Sequence, residues 1–241
     1  MRGLKSAVLY SFPPQRFGLC GMGEKGGEEI FDFLLGKKVP KIKKIIESFK
    51  GAFFYYELIA KENKISNPFN EKVVRAYWVG NELLEKVRLE KLREIVEKDF
   101  KKPKLAKILP ESARAHHSFH VLVAGPIEKN LKMTEGMKDL CKISWGKVLK
   151  ILDWRLQIVN LIVEYRSLQK EKEWILGKPT KRKIFWDKRI SPKIKVGDFI
   201  SFHWDFALEK LSKKDLENLK KYTQISIQTA NFCQSKKKEL E

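Results

Sequence analysis

The second half of the chain contains the stretch Val196-Gly-Asp-Phe-Ile-Ser-Phe-His-Trp-Asp-Phe-Ala-Leu-Glu-Lys-Leu211, and this stretch decides the expected fold. It places His203 beside an aromatic and β-branched run that is typical of a strand. Earlier in the chain, Cys141-Lys-Ile-Ser-Trp-Gly-Lys-Val148 places a cysteine beside a second strand-like run. Together the two segments predict a small β-barrel that presents a thiolate and an imidazole.

Further strand-like runs surround these segments. Residues 143–152, 156–165 and 193–204 carry β-branched and aromatic side chains in short runs, separated by charged connectors that include residues 177–183. Apolar residues return to helical spacing over residues 213–231. We therefore expect a β-barrel domain with a C-terminal helix over residues 137–230, followed by a charged tail over residues 231–241.

The first half of the chain has the apolar spacing of helices. Ile42, Ile45, Ile46 and Phe49 recur at steps of three and four, and a further helix is expected over residues 113–124 with Ser112 as its N-cap. Residues 1–25 contain two prolines and several glycines and are predicted to be irregular. The expected fold class is α+β. An N-terminal all-α helical domain (residues 1–130) of unknown role precedes a small OB-like β-barrel with a C-terminal helix.

Composition limits the possible classes of protein. The chain has 241 residues, of which 43% are hydrophobic, enough to bury a core. No apolar run reaches the roughly 18 residues that span a bilayer, so we expect no membrane insertion. Three widely spaced cysteines argue for a reducing compartment, with the cytoplasm as the expected location. The net charge of +20 fits either a lysine-rich surface or a basic docking face for an acidic partner.

Residues 141–225 resemble the HypC/HupF hydrogenase formation chaperones. Members of that family usually open with Met-Cys-x-x-x-Pro-Gly-x-Val and later carry Val-Gly-Asp-Tyr-Val-x-Val-His-x-Gly-Phe-Ala-Ile-Glu-Lys-Leu. The spacing from Cys141 to Gly146 matches the first signature, although Trp145 replaces its proline. The second signature is matched at more positions: Val196, Gly197, Asp198, His203, Phe206, Ala207, Glu209, Lys210 and Leu211.

This resemblance implies a role in metal-centre assembly. In the HypC/HupF family the Cys and the His of the two signatures are implicated in holding an iron unit, which implies the same role for Cys141 and His203. Thiolate and neutral imidazole are suitable iron ligands. The implied function is an accessory metallo-chaperone in [NiFe]-hydrogenase maturation or related iron-centre assembly, rather than an enzyme. Its cargo would be iron, and its partners would be hydrogenase maturation proteins or the hydrogenase large subunit precursor.

A second possible metal site lies in the first half of the chain. Three of the four histidines occur in Ala115-His-His-Ser-Phe-His120. On a helix, His116 and His120 would share one face, which is the spacing of helical metal sites. Cys20, a lone thiol in a Gly-rich segment, is a candidate third ligand for a metal of unknown identity. The alternative is that His116 and His117 pack or cap locally without binding a metal.

Two other functions stay open. A metal-dependent enzyme would use His116, His120 and Cys20 to make or modify a ligand of the iron centre. A nucleic-acid-binding module would use the OB-like barrel, since such barrels often bind single strands, and its binding would weaken with salt through residues 178–183. Nucleic acid is the less expected partner because the sequence contains no recognisable nucleic-acid motif.

The whole chain also resembles a family of bacterial and archaeal proteins that has no assigned activity. The segments that carry this resemblance are Phe12-Pro-Pro, Gly18-Leu-Cys-Gly21, Ala76-Tyr-Trp-Val-Gly-Asn81 and His116-His-Ser-Phe-His120. The resemblance covers nearly all of the chain and implies a shared fold, with a helical domain ahead of the barrel. It supplies no reaction, ligand or partner.

Overall fold

Helices come first along the chain, a β-barrel follows, and a long helix completes the fold. The computed structural model describes residues 2–16, 23–126 and 133–240. We call the described residues up to Cys141 the helical part. Its α-helices are α1 (Arg2–Arg16), α2 (Gly23–Leu34), α3 (Ile42–Glu47), α4 (Lys50–Glu62), α5 (Glu71–Trp78), α6 (Leu89–Lys98), α7 (Pro103–Lys107), α8 (His117–Phe119) and α9 (Glu135–Cys141). A 3-10 segment covers Glu82–Lys86, and a π-helical turn, His120–Ala124, continues directly from α8.

Side-chain caps and buried aromatic rings explain the helical part. The side chain of Asn70 accepts a hydrogen bond from the backbone N of Lys72 at 2.9 Å and so caps the first turn of α5. Tyr55 on α4 and Tyr77 on α5 are fully buried, and their rings stack with centroids 5.1 Å apart. Burial of these large rings fixes how α4 packs against α5.

The barrel is closed and five-stranded. Its strands are β1 (Ser144–Leu152), β2 (Ile158–Lys170), β3 (Trp174–Asp187), β4 (Phe199–His203) and β5 (Phe206–Lys210), in the order β1-β2-β3-β5-β4. The pairing between β3 and β5 is parallel, and the other pairings are antiparallel. The barrel has its own core, lined by Val148, Leu161, Val163, Ile184, Trp186, Ile200, Phe202 and Ala207.

The largest hydrophobic core extends from the helical part into the barrel. It contains Phe12 and Trp78 together with Ile143 and Phe206, and the rings of Phe12 and Phe206 meet edge to face at 5.3 Å. The predicted boundary between residues 130 and 137 therefore separates two parts that share one core.

Polar contacts across the same junction reinforce it. The guanidinium of Arg75 on α5 lies 3.0 Å from Glu209 on β5 and 3.0 Å from Asp215. The hydroxyl of Tyr10 on α1 also donates to Glu209 at 2.6 Å. Because Arg75 and Glu209 are both largely shielded from solvent, this network ties the helices to the barrel more firmly than surface ion pairs would.

The C-terminal helix α10 (Lys213–Leu240) packs back onto the helical part. Its Tyr222 is buried and donates a hydrogen bond to the carbonyl of Asn81 at 2.9 Å. The helix continues through most of the predicted tail, and Cys233 is buried there. Among the described helices, none has both the length and the apolar character required to cross a bilayer.

Two expectations about local structure were wrong. Residues 2–16 form α1 despite Pro13 and Pro14, because Ala7, Val8 and Phe12 bury one side of the helix. Tertiary burial here outweighs the local penalty of proline.

The charged segment 177–183 is the middle of β3 rather than a connector. Lys181 and Lys183 face solvent on the outside of the barrel while Ile184 faces inward, so the charges lie on a solvated face. Pro179 is accommodated because it lies beside an irregularity in the pairing of β2 with β3.

Candidate metal centre

Three side chains from three segments meet at the junction of the helical part and the barrel. They are His117 at the start of α8, Cys141 at the end of α9 and His203 at the end of β4. One ring nitrogen of each histidine and the Cys141 sulfur all lie within 4.8 Å of one another, and all three residues are buried. A single metal ion bound by all three atoms would draw them closer together than this.

Backbone structure places Cys141 and His203 side by side. The N–H of Trp204, next to His203, donates to the carbonyl of Leu140, next to Cys141, at 2.9 Å. Trp204 and Asp205 form the two-residue turn between β4 and β5, with φ of 48° and 58°. Two successive residues with positive φ are the signature of a type I′ hairpin turn, which ends β4 at His203.

The tautomer of His203 is fixed by a backbone carbonyl. Its Nδ1 lies 2.8 Å from the carbonyl oxygen of Tyr10, which can only accept, so Nδ1 carries the proton. The other nitrogen, Nε2, is buried and makes no hydrogen bond within the described part of the chain. Burial lowers the pKa of His203 to about 4, although the carbonyls of Tyr10 and Cys141 act in the opposite direction. At neutral pH this imidazole therefore presents a bare Nε2 lone pair inside the protein.

His117 has a partner at each ring nitrogen. Its Nε2 lies 2.9 Å from the carbonyl oxygen of Cys141, and its Nδ1 lies 3.1 Å from the hydroxyl of Tyr77. Burial, together with repulsion from His203 and His120, holds the pKa of His117 well below its usual range. His117 is therefore neutral and able to coordinate through a nitrogen that does not carry the proton.

An aromatic wall encloses the cluster. The ring of Trp78 lies 4.4 Å from that of His117 and 6.0 Å from that of His203, measured between centroids. The indole Nε1 of Trp78 is itself paired, donating to the hydroxyl of Tyr56 at 2.5 Å. This wall excludes water from one side of the cluster and lowers the local dielectric constant.

A network of charged side chains, buried or partly shielded from solvent, supports the segments that carry Cys141 and His203. Arg182 on β3 contacts Asp139, two residues before Cys141, at 2.8 Å and Asp205, two residues after His203, at 2.5 Å. Lys142 is only 1% exposed and lies 3.2 Å from Asp139. Because Lys142 and Arg182 stabilise the carboxylate, the pKa of Asp139 is lowered despite its burial. The network thus holds the segments on either side of the cluster in one arrangement.

The structure brings together the predicted pair, Cys141 and His203, and adds His117. His117 was not among the ligands predicted from the sequence, and local packing or capping was the alternative given for both His116 and His117. The sequence signal that would have singled out His117 is weak, since only the fold shows which of the adjacent histidines points at Cys141.

His116 and His120 do not form the expected pair. His116 is the extended N-cap residue of α8, where its Nδ1 accepts from the N–H of Ser118 at 3.2 Å, so the two histidines do not share a helix face. His120 packs against the ring of Phe100 at 5.4 Å and is absent from the cluster found among the described residues. The predicted third ligand, Cys20, lies outside the described residues.

The donor set is suitable for a soft or borderline metal. One thiolate and two imidazoles suit iron, zinc and copper, and they are poor ligands for magnesium or calcium. Three protein ligands also leave a position for a fourth group, as in metal sites that bind a substrate or a small ligand. The bare Nε2 of His203 is a buried polar atom that a metal ion would satisfy. The residues therefore fit a metal, and their identity does not select one among these three.

Comparison with known proteins identifies the family. A family model described as a family of unknown function, DUF6390, matches residues 1–237, and the chain belongs to this family. No curated protein and no solved structure matches the chain.

Proposed function

We propose that this member of DUF6390 is an accessory metallo-chaperone that holds an iron unit for [NiFe]-hydrogenase maturation or related iron-centre assembly. Cys141 and His203 hold the iron unit, and His117 is the third ligand. The single observation that carries the proposal is the cluster of these three side chains, whose ligand atoms lie within 4.8 Å of one another. The two ligands implied by the HypC/HupF resemblance are both members of this cluster.

Ligand chemistry supports a role in holding and passing on a metal. A thiolate is a strong ligand for iron, and imidazole exchanges more readily, so the set combines retention with release. The three ligands come from α8, α9 and β4, so a small displacement of one segment would open the site. The iron unit is cargo in this proposal, and no reaction of the protein is required.

The proposed partners are hydrogenase maturation proteins or the hydrogenase large subunit precursor. The strand order β1-β2-β3-β5-β4 with a C-terminal helix supports an OB-like description of the barrel, in agreement with the HypC/HupF resemblance. The described cysteines Cys141 and Cys233 form no disulfide, which is compatible with the proposed location in the reducing cytoplasm.

Metal content after purification without oxygen tests the proposal. Wild type is compared with Cys141→Ala and with Cys233→Ala, which removes a buried thiol that lies outside the cluster. We expect iron to be retained by wild type and Cys233→Ala and lost from Cys141→Ala. Iron that remains in Cys141→Ala, or a wild type that takes up no iron when ferrous ion is supplied, would contradict the proposal.

A metal-dependent enzyme is the second candidate function. The observation that favours it is the three-ligand set, because catalytic metal sites commonly use three protein ligands and one exchangeable position. The ligands would then be His117, Cys141 and His203, in place of the set His116, His120 and Cys20 expected from sequence. A metal that stays bound through repeated exposure to apo partner proteins would favour the enzyme over the chaperone.

A further inference from the structure

The two histidines of the cluster differ in how their tautomers are set. Nδ1 of His203 donates to a backbone carbonyl, which cannot donate in return, so His203 keeps one tautomer. Nδ1 of His117 instead faces the hydroxyl of Tyr77 at 3.1 Å, and a hydroxyl can either donate or accept. The same Tyr77 hydroxyl lies 3.1 Å from the carbonyl oxygen of Gly51, which gives its proton a second acceptor.

These contacts allow two tautomers of a neutral His117. In the first, Nε2–H donates to the carbonyl of Cys141, and the Tyr77 hydroxyl donates to Nδ1. In the second, Nδ1–H donates to the Tyr77 oxygen, and the hydroxyl turns to donate to the carbonyl of Gly51. The second arrangement leaves Nε2 of His117 without a proton, and its lone pair then faces the Cys141 carbonyl oxygen 2.9 Å away. Because these two acceptors repel each other, the second arrangement is favoured only when a metal takes the Nε2 lone pair and the carbonyl turns aside.

We propose that Tyr77 is a positioning residue that switches His117 between these two tautomers. When the site is empty, Nε2–H of His117 holds the Cys141 carbonyl; when the site is loaded, Nε2 becomes the third metal ligand and Nδ1–H is held by Tyr77. His203 and Cys141 are then permanent ligands, and His117 is a conditional one. This inference rests on the metal site proposed above and adds how that site changes between capture and release.

His117 and Tyr77 together carry the same number of protons in both arrangements. One proton leaves Nε2 of His117 and one is taken up at Nδ1, while the Tyr77 proton only changes its acceptor. The proton that is released when the metal binds comes from the Cys141 thiol, which must become a thiolate to act as a ligand. No oxidant, reductant or other reactant is needed.

Nitrogen-15 NMR of the imidazole side chains tests the switch directly, with Zn²⁺ as the probe because it is diamagnetic. The chain has four histidines, so single substitutions can assign each ring. We expect His117 to carry its proton on Nε2 in the empty protein and on Nδ1 in the zinc-loaded protein. His203 should carry its proton on Nδ1 in both.

A matched pair of variants isolates the Tyr77 hydroxyl. Tyr77→Phe keeps the ring in the aromatic core and removes the partner of Nδ1. The control is Tyr55→Phe: Tyr55 stacks on Tyr77, and its buried hydroxyl has no hydrogen-bond partner within the described part of the chain. A buried N–H without an acceptor is costly, so Tyr77→Phe should weaken zinc binding about 10-fold while Tyr55→Phe leaves it unchanged.

The outcomes separate the switch from the site itself. If zinc binds through Cys141 and His203 while His117 keeps its proton on Nε2, the switch is refuted and the metal site stands. Equal zinc affinities for the two Tyr→Phe variants would also refute it. If zinc perturbs neither His117 nor His203, the metal site and the switch are refuted together.

Discussion

Replacing Arg182 with alanine should destabilise the fold and loosen the metal centre at the same time. This side chain lies 2.8 Å from Asp139 and 2.5 Å from Asp205, and it also donates to the hydroxyl of Tyr165 at 2.7 Å. It is 21% exposed, so these contacts are only partly screened by water. Loss of Arg182 would therefore remove a side chain that bridges the segments carrying Cys141 and His203.

The expected loss of stability depends on which partners Asp139 and Asp205 keep when Arg182 is removed. Hydrogen bonds to charged groups contribute about 1.5–3 kcal/mol each, which would give at least about 4.5 kcal/mol for three independent contacts. Asp139, however, keeps Lys142 at 3.2 Å and the backbone N–H of Leu168 at 2.7 Å. Asp205 is 29% exposed and can be solvated. We therefore expect a loss of about 2–3 kcal/mol in the free energy of unfolding.

Urea unfolding and metal competition together provide the assay. Lys183→Ala is the matched control because Lys183 is the next residue on β3 and faces solvent, so its loss should change stability by less than about 0.5 kcal/mol. Arg182→Ala should also weaken Zn²⁺ binding about 10-fold under conditions where both variants are folded. Stability and zinc affinity within error of those of Lys183→Ala would refute the bridging role of Arg182.

Two further predictions concern packing and pH. Gly80→Ala should lower the free energy of unfolding by at least about 3 kcal/mol, because φ is +96° and the new Cβ would lie 2.1 Å from the ring of Tyr222. The control Gly36→Ala, at φ +86° with nothing within 4 Å of the new Cβ, should lower it by only about 1–2 kcal/mol. Equal shifts in melting temperature for the two variants would contradict the packing of α10 against Gly80. In the presence of chelator, stability should fall as the pH drops from 6.5 toward 4, because the unfolded state protonates His203 near pH 6.5 while the folded state, with a pKa of about 4, does not. His203→Gln should therefore make urea-derived stability less steep in pH by up to about 1.4 kcal/mol per unit, and an unchanged slope would be inconsistent with a buried neutral imidazole.

The overall architecture could be predicted from local sequence patterns. Helical spacing around Ile42 and Ile46 and strand-like runs near Cys141 and His203 predicted helices first and a barrel second, as observed. The patterns failed where tertiary contacts decide the outcome. Pro13 lies in a helix because burial holds α1 together, and the lysine-rich residues around Lys181 form a strand because the barrel leaves one face of β3 in solvent.

The candidate site could be predicted from the sequence only in part. The signatures around Cys141 and His203 pointed to two ligands, but the third depends on the rotation of a short helix that no sequence period specifies. His116 and His120 have the helical spacing of a metal site, yet α8 begins after His116 and becomes π-helical at His120, so the expected face does not form. Which adjacent histidine reaches Cys141 is set by tertiary packing of α8, which includes the 3.1 Å contact between the hydroxyls of Ser118 and Thr223 on α10.

X-ray absorption spectroscopy of the metal-loaded protein tests the central claim most directly. The protein would be loaded with one equivalent of ferrous ion, or of Zn²⁺ as a diamagnetic substitute, and compared with Cys141→Ala. We predict one sulfur and two imidazole nitrogens in the first coordination shell of wild type, from Cys141, His117 and His203. Loss of the sulfur is predicted in the variant. A first shell without sulfur in wild type, or an identical shell in both proteins, would contradict the account.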